Sequence, residues 1–125
     1  MKYLVTGADG FIGRHLVEYL ARNKEDTIIA TDRTTKVYFE GTNIQYQACE
    51  LKDKEQVDKL EDVDKVIHLA AYNGTKFFYE KPFEVIKDNI IPTLNLLDRA
   101  PFKMLSSEIT TPNDNFFYKK PKNQR

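Results

Sequence analysis

The first thirteen residues of the chain read MKYLVTGADGFIG (residues 1–13). A short apolar run meets three glycines spaced three apart, Gly7, Gly10 and Gly13, and an amphipathic segment follows. This order predicts a strand, a tight turn and a helix, the arrangement that places a dinucleotide pyrophosphate on a helix N-terminus. The first glycine permits a sharp turn, the second a close approach to phosphate, and the third close packing of helix on strand. The alternative is a glycine-rich turn that binds nothing.

Length and composition restrict the class of protein. The chain has 125 residues, of which 41% are hydrophobic and 30% charged, and its formal net charge is +0. These values indicate one small globular domain and give no sign of a nucleic-acid or anionic-membrane partner. No apolar run approaches the ~20 residues of a membrane span. We therefore expect a soluble, cytoplasmic protein.

The cysteine and the two histidines have no neighbours in the sequence that indicate a disulfide, a metal site or a nucleophile. Cys49 is the single cysteine, so it forms no intrachain disulfide, and we expect a buried structural thiol. His15 and His68 have no second ligand at useful spacing, so we place them on the surface and in the core respectively. The sequence therefore predicts no metal site.

Hydrophobic periodicity divides the rest of the chain into alternating elements. The first helix should bury Ile12, Leu16, Val17 and Leu20. The last carries Phe83, Ile86, Ile90, Leu94 and Leu97 at 3- and 4-residue steps, with Pro92 kinking it or delaying its first straight turn. Helices are predicted over 11–22, 52–60 and 83–99, and strands over 27–31, 44–49, 63–71 and 102–105, besides the first strand.

Alternation of strands and helices predicts an α/β fold with a parallel sheet. Right-handed crossovers, with a reversal after the first strand pair, give a Rossmann-like doubly wound sheet of about five strands in the order 3-2-1-4-5. The ligand crevice of such a sheet lies at the carboxyl ends of strands one and four. The glycine turn, Asp32, the segment 69–71 and Ser106-Ser107 are all predicted to meet there.

Asp32 is the candidate that selects the cofactor. It ends the second strand and follows Gly13 by 19 residues, close to the ~20 expected between a glycine loop and a ribose-binding acid. A carboxylate there accepts the adenosine ribose hydroxyls and repels a 2′-phosphate, which favours NAD over NADP. The adjacent Arg33 leaves the choice open, since it could stack on adenine or meet a 2′-phosphate.

Three segments together resemble one family. They are TGADGFIG (residues 6–13), VIHLAA (residues 66–71) and DNIIPTLNLL (residues 88–97). They are similar to the motifs of the extended short-chain dehydrogenases/reductases, which include the NAD-dependent nucleotide-sugar epimerases and dehydratases. The resemblance runs from residue 1 to about residue 109.

The resemblance implies roles for the positions that match. The pyrophosphate would lie on the glycine turn, the ribose on Asp32, and adenine near Glu50-Leu51, where the family more often has Asp. The segment 69–71 would lead toward the nicotinamide, close to a helix position held by Asn89. Residues 76–83 either form a packed loop or approach the nicotinamide and sugar. The implied cofactor-binding set is Gly7, Gly10, Phe11, Ile12, Gly13, Asp32, Arg33, Glu50, Leu51, Leu69, Ala70, Ala71 and Asn89.

The family's chemistry also needs a Ser or Thr after strand five and a Tyr-x-x-x-Lys pair on a long helix. Ser106 or Ser107 matches the first, and Tyr118 and Lys122 match the spacing of the pair. Pro121 disfavours a helix there, and three residues follow Lys122. We therefore expect the chain to be catalytically incomplete alone.

The sequence thus predicts an NAD-binding Rossmann domain over residues 1–110 of an epimerase/dehydratase-like oxidoreductase. Residues 111–125 are expected to form an irregular tail, and the substrate domain that binds the nucleotide-sugar is expected to be absent. The exposed sheet edge could support self-association. The alternatives are a non-catalytic module that binds a dinucleotide or docks on a partner, or a truncated gene product.

Overall fold

The computed structural model describes residues 1–34, 36–38, 40–71 and 79–99, with the backbone of 104–106. This part of the chain contains five strands and three helices, and a helix separates each strand from the next except between the second and third strands. The strands are β1 (Lys2–Thr6), β2 (Thr27–Asp32), β3 (Ile44–Ala48), β4 (Lys65–His68) and β5 (Met104–Ser106). The helices are α1 (Phe11–Ala21), α2 (Lys54–Asp58) and α3 (Pro82–Arg99), and α3 continues through Pro92.

All strand pairs are parallel, and the strands lie in the order β3-β2-β1-β4-β5. The predicted fold class and strand order are therefore confirmed. The central pair runs in register from Lys2 beside Thr27 to Thr6 beside Thr31, and Thr6 also lies beside His68. Because all strands run the same way, their carboxyl ends meet at one edge of the sheet.

The sheet is covered on both faces, and β1 shows why. Its side chains alternate between faces, so Leu4 joins one cluster of buried residues and Val5 the other. The Val5 cluster includes Val17 and Ala21 of α1. The Leu4 cluster includes Val57 of α2, Leu60 just after that helix, and Leu96 of α3. Alternation within a strand thus places α1 on one face and the later helices on the other.

The predicted inner face of α1 is partly wrong. The buried residues of the helix are Gly13, Val17 and Ala21, whereas Ile12 is 68% exposed. Gly13 and Ala21 pack inward because small residues let the helix lie close to the sheet. Ile12 instead lies in the first turn, at the edge where the strands end.

The predicted helix is present, but the periodic apolar residues that identify α3 are not the ones it buries. The helix buries Val85, Pro92 and Leu96, and the regularly spaced apolar residues face away from the described part of the sheet. Their exposed fractions are Phe83 72%, Ile86 50%, Ile90 49%, Leu94 57% and Leu97 38%. Periodicity identified an apolar stripe, but it could not say which of two apolar stripes meets the sheet.

A buried hydrogen-bond network joins the ends of β1 and β4. The backbone N–H groups of Leu69 and Ala70 donate to Thr6 Oγ1, at 3.1 and 3.2 Å. Because both acceptor positions of that oxygen are then used, its own proton goes to His68 Nδ1, 2.6 Å away. This assigns a neutral imidazole to His68. Burial lowers the pKa of His68 to about 4, in agreement with that assignment.

The orientation of α3 is tested by two matched substitutions. Leu96→Ala, in the Leu4 cluster, should lower the free energy of unfolding by about 2–5 kcal/mol because it leaves a cavity. Leu94→Ala removes the same atoms from an exposed site and should cost less than about 0.5 kcal/mol beyond the shared change in helix propensity. Urea unfolding measures both. Equal losses, or a larger loss at Leu94, would contradict the orientation.

The neutral state of His68 predicts a pH dependence of stability. Between its folded pKa of about 4 and its ordinary value of 6.5, the unfolded chain binds a proton that the folded chain does not. The free energy of unfolding should therefore fall as the pH drops from about 6.5 to about 4, and His68 should contribute about 3 kcal/mol to this loss. Above pH 6.5 the titration of His68 should have no effect on the free energy of unfolding.

The control is His68→Gln, which keeps a neutral polar side chain without a titrating group. Urea unfolding at pH 7 and at about pH 4.5 should show a larger loss for the wild type than for the variant. Carboxylates that titrate in this range affect both proteins alike. The same loss in both proteins would show that His68 is not held neutral by the fold.

Candidate functional site

A pocket of about 490 Å³ opens at the carboxyl ends of the central strands. The glycine turn forms its floor, and the segments after β2, β3 and β4 form its walls together with α3. The lining residues are Gly7, Gly10, Phe11, Ile12, Gly13, Asp32, Arg33, Cys49, Glu50, Leu51, Lys52, Leu69, Ala70, Ala71, Asp88 and Pro92.

The glycine turn is closed so tightly that side chains are excluded from it. Gly7 has φ of +66°, a conformation that L-residues rarely adopt, and a β-carbon there would lie 2.8 Å from the backbone of Ala70. A β-carbon on Gly13 would lie 2.0 Å from the carbonyl oxygen of Gly7. Strand, turn and helix therefore meet in backbone contact, as the spacing of the glycines predicts.

The N-terminus of α1 offers hydrogen-bond donors to the pocket. The helix begins after Gly10, which caps it without a side chain, and its first turn contains no acidic residue. The first amides of a helix have no partner within the helix, and here they belong to Phe11, Ile12 and Gly13, all of which line the pocket. Donors and helix dipole together favour an anion at this place.

Asp32 is held in the pocket wall by backbone donors. The N–H of Asp9 donates to its Oδ2 at 3.1 Å, and the N–H of Arg33 donates to its Oδ1 at 2.8 Å. Each oxygen keeps acceptor capacity for a ligand. The backbone oxygen of Asp32 also accepts from the N–H of Cys49 at 2.9 Å, which ties the end of β2 to the next wall.

That next wall is the segment 49–52 after β3. The Glu50 carboxylate accepts from the N–H of Lys52 at 3.2 Å, and Gln56 of α2 accepts from the N–H of Glu50 at 2.9 Å. Cys49 is 2% exposed, and burial raises the pKa of its thiol to about 11. The thiol is therefore protonated at neutral pH and is a structural group, as the sequence indicates.

The opposite wall is formed by small residues and by α3. Leu69, Ala70 and Ala71 follow β4, and Ala70 and Ala71 are half-buried. Pro92 and Asp88, one helical turn apart on α3, complete this side. Asp88 Oδ1 lies 3.0 Å from Nζ of Lys52, so an ion pair connects α3 to the segment after β3.

The structure brings together most of the cofactor-binding residues predicted from the sequence. Twelve of the thirteen line the pocket, and Asn89 of α3 does not. The sequence reasoning missed four lining residues, Cys49, Lys52, Asp88 and Pro92. Cys49 and Lys52 flank the predicted Glu50-Leu51 and could have been added by adjacency. No sequence signal pairs Lys52 with Asp88, which lies 36 residues away.

The predicted catalytic residues are described only in part. Ser106 ends β5 and lies beside His68 in the register of the sheet, so its backbone stands at the same edge as the pocket. Ser107, Tyr118 and Lys122 lie outside the described residues, as do 107–125 as a whole and the first part of the segment 76–83. Their roles stay predictions, as does the boundary at residue 110.

Neither a metal cluster nor a membrane span occurs in the part of the chain that the structure describes. Within it, no group of three or more His, Cys, Asp or Glu side chains could hold a metal ion. Its helices are too short or too polar to cross a membrane.

Comparison with known proteins places the chain in a family. Residues 3–108 match the NAD dependent epimerase/dehydratase family. UDP-glucuronic acid decarboxylase 6 of Arabidopsis thaliana is 36% identical over 107 residues, which cover 80% of this chain and 30% of that protein.

Solved structures of the same family resemble the fold of this chain. UDP-glucose 4-epimerase of Thermotoga maritima, determined with UDP-glucose, has a TM-score of 0.70 and 33% identity, covering 79% of this chain and 33% of that one. UDP-glucose 4-epimerase of Thermus thermophilus, determined with NAD, has a TM-score of 0.67 and 32% identity, covering 78% and 33%. This chain thus spans about a third of the length of the relatives it matches. It belongs to the NAD-dependent epimerase/dehydratase family, and the matched residues have the NAD-binding Rossmann fold of that family.

Proposed function

We propose that the pocket binds NAD across the carboxyl edge of the sheet. The proposal rests on the glycine turn, which brings the N-terminus of α1, where no side chain caps the helix, into the same pocket as the Asp32 carboxylate. The first-turn amides would hold the pyrophosphate, and Asp32 would accept the hydroxyls of the adenosine ribose. Glu50 and Leu51 would contact adenine, and the segment 69–71 would lead toward the nicotinamide.

The residues fit such a cofactor. The cavity volume of about 490 Å³ is within the range of small-molecule sites, ~300–1,000 Å³. Gly10 is exposed, and its missing β-carbon leaves room for phosphate above the turn. The half-buried apolar surface of Leu69 to Ala71 suits a flat ring. Bound NAD would accept a hydride from a carbon atom of the sugar.

Asp32 supports a preference for NAD over NADP. Its carboxylate is fixed by two backbone donors, so a 2′-phosphate would meet a negative charge that cannot turn away. Arg33 also lines the pocket and is the residue that could offset this repulsion. Titration with both cofactors shows which of the two contributions is larger.

For the whole protein, we propose oxidoreductase chemistry on a nucleotide-sugar, as the names of the relatives suggest. Ser106 or Ser107 would hold the sugar hydroxyl beside the end of β4. Tyr118 would take its proton, with Lys122 lowering the pKa of the phenol. The 125-residue chain by itself is proposed to bind the cofactor without completing turnover, and its setting is proposed to be cytoplasmic.

A second candidate function is a non-catalytic module that binds a dinucleotide and docks through the sheet edge. Its support is the position of β3 and β5, each paired on one side only within the described sheet. Self-association through such an edge would depend on chain concentration. Cofactor binding is common to both candidates, and turnover by the whole protein separates them.

Substitution at Gly10 tests the cofactor site directly. Its φ of −72° suits any residue. A β-carbon there would lie 3.2 Å from the Gly7 carbonyl oxygen, a tight contact that a shift of a few tenths of an ångström relieves, so Gly10→Ala should fold with a somewhat lower melting temperature. The added methyl group would stand where phosphate approaches, and NAD affinity should fall at least about tenfold, or ~1.4 kcal/mol. Isothermal titration calorimetry with NAD, NADH and NADP measures the affinities.

Gly41→Ala is the matched control, since Gly41 does not line the pocket and its added β-carbon would meet only side chains. It should bind NAD as the wild type does. The proposal would be wrong if the folded wild type released no heat and showed no change in melting temperature with NAD. It would also be wrong if the folded Gly10→Ala variant bound NAD as tightly as the wild type.

A further inference from the structure

Lys52 and Asp88 lie in a part of the pocket wall that the proposed cofactor contacts do not use. Lys52 follows Glu50-Leu51, and Asp88 lies on α3 one turn before Pro92. Both side chains line the pocket that also contains the glycine turn. Any effect of this pair on cofactor affinity rests on the proposed function of the pocket.

The geometry makes Asp88 the more buried member of the pair. Its side chain is 13% exposed and that of Lys52 is 36% exposed, with 3.0 Å between Oδ1 and Nζ. Asp88 Oδ1 is enclosed and accepts no well-aligned hydrogen bond from the described residues. The nearby charge of Lys52 is therefore what compensates its burial, because an enclosed carboxylate without a cation is costly.

Polar contacts hold both partners in place. Asn95 of α3 donates through Nδ2 to the backbone oxygen of Leu51 at 2.8 Å. Leu96, the next residue, is buried in the cluster that also contains Cys49 and Leu51. The segment that carries Lys52 is thus joined to the helix that carries Asp88 by a hydrogen bond and by a shared apolar cluster.

The net charge of the pocket makes the Lys52–Asp88 pair important for the binding of an anion. Three carboxylates line it, from Asp32, Glu50 and Asp88, against the two cations Arg33 and Lys52. A pyrophosphate adds further negative charge to an already acidic wall. An uncompensated carboxylate here would repel it, and repulsion in a partly enclosed site is screened less than in open solvent.

We propose that Lys52 is a positioning residue that neutralises Asp88, so that this wall accepts the negatively charged cofactor. Lys52 acts through Asp88 and does not itself grip a phosphate. The competing role, direct attraction of phosphate by the Lys52 ammonium group, gives a different result in a double-mutant cycle. In the proposed role, removal of Asp88 removes the need for Lys52.

The cycle uses Lys52→Met, Asp88→Asn and the double variant of the 125-residue chain, with NAD affinity measured by calorimetry. Lys52→Met alone should weaken binding by about tenfold, because it leaves Asp88 uncompensated. Asp88→Asn removes a negative charge and should tighten binding by up to about threefold. The double variant should bind NAD at least as tightly as the wild type, because Lys52 has no task once Asp88 is gone. Independent effects of the two substitutions, as expected for a lost phosphate contact, would leave it about threefold weaker than the wild type.

Two further measurements show whether the loss of affinity in Lys52→Met comes from charge or from a change in the shape of the pocket. The loss in Lys52→Met should shrink between about 0.05 M and about 0.5 M NaCl, because salt screens the repulsion. Melting temperatures of the four proteins without cofactor should show the same coupling, since the ion pair exists in the free chain. The control Lys54→Met removes a lysine that pairs with Asp58 and with Asp98 of α3 outside the pocket. It should leave NAD affinity unchanged.

The inference would be overturned if the double variant bound NAD about threefold or more weakly than the wild type, since additive or larger losses would make Lys52 a direct phosphate contact. Unchanged affinity in Lys52→Met, or additive melting temperatures in the cycle, would overturn it as well. Failure of the folded wild type to bind NAD would overturn the proposed function and this inference together. Normal wild-type binding with no recovery in the double variant would overturn the inference alone.

Discussion

The structure depends on the close contact between the carbonyl oxygen of Gly7 and the α-carbon of Gly13. A β-carbon at residue 13 would lie 2.0 Å from that oxygen, so only glycine permits α1 to begin where it does. This contact sets the angle at which the helix leaves the sheet. It also brings the first-turn amides over the carboxyl edge, and it leaves Gly7 in contact with the backbone of Ala70.

The walls of the pocket are positioned by hydrogen bonds that join the segments after neighbouring strands. Thr6 at the end of β1 accepts from the backbone after β4, and Asp32 at the end of β2 accepts from the backbone after β3. Asn95 then joins the segment after β3 to α3. Since each bond uses backbone groups on at least one side, the shape of the pocket depends less on side-chain rotamers than on strand register. A ligand that needs several contacts at once gains from this preorganisation.

The features that could be predicted from the sequence are those fixed by local chemistry. Backbone geometry requires the glycines at residues 7, 10 and 13. Asp32 follows them along the sequence by the length of one helix and one strand. The alternation of strands and helices gives the strand order by general rules of handedness. These features, with the family resemblance, specify the fold and twelve lining residues before any contact is known.

The features that escaped prediction depend on which face of α3 meets the sheet. The helix carries apolar residues on two sides, and periodicity alone favoured the stripe from Phe83 to Leu97, which is exposed. Val85, Pro92 and Leu96 pack inward instead, and this rotation is what places Asp88 and Pro92 in the pocket. The Lys52–Asp88 ion pair is a consequence of that rotation, so it could not be found from charge pattern along the chain. Nucleotide-sugar chemistry is likewise suggested by relatives of which this chain spans about a third, and not by the described residues.

A titration of the chain with NAD followed by amide NMR tests the cofactor site most directly. If the cofactor lies across the carboxyl edge, the largest changes should occur at the amides of Gly10 to Gly13, at Arg33 beside Asp32, and at Leu69 to Ala71. Amides at the opposite edge, such as Lys2 and Asp64, should not shift. Changes that are absent at saturating NAD, or that are largest away from the glycine turn, would contradict the assignment of this turn as the cofactor site.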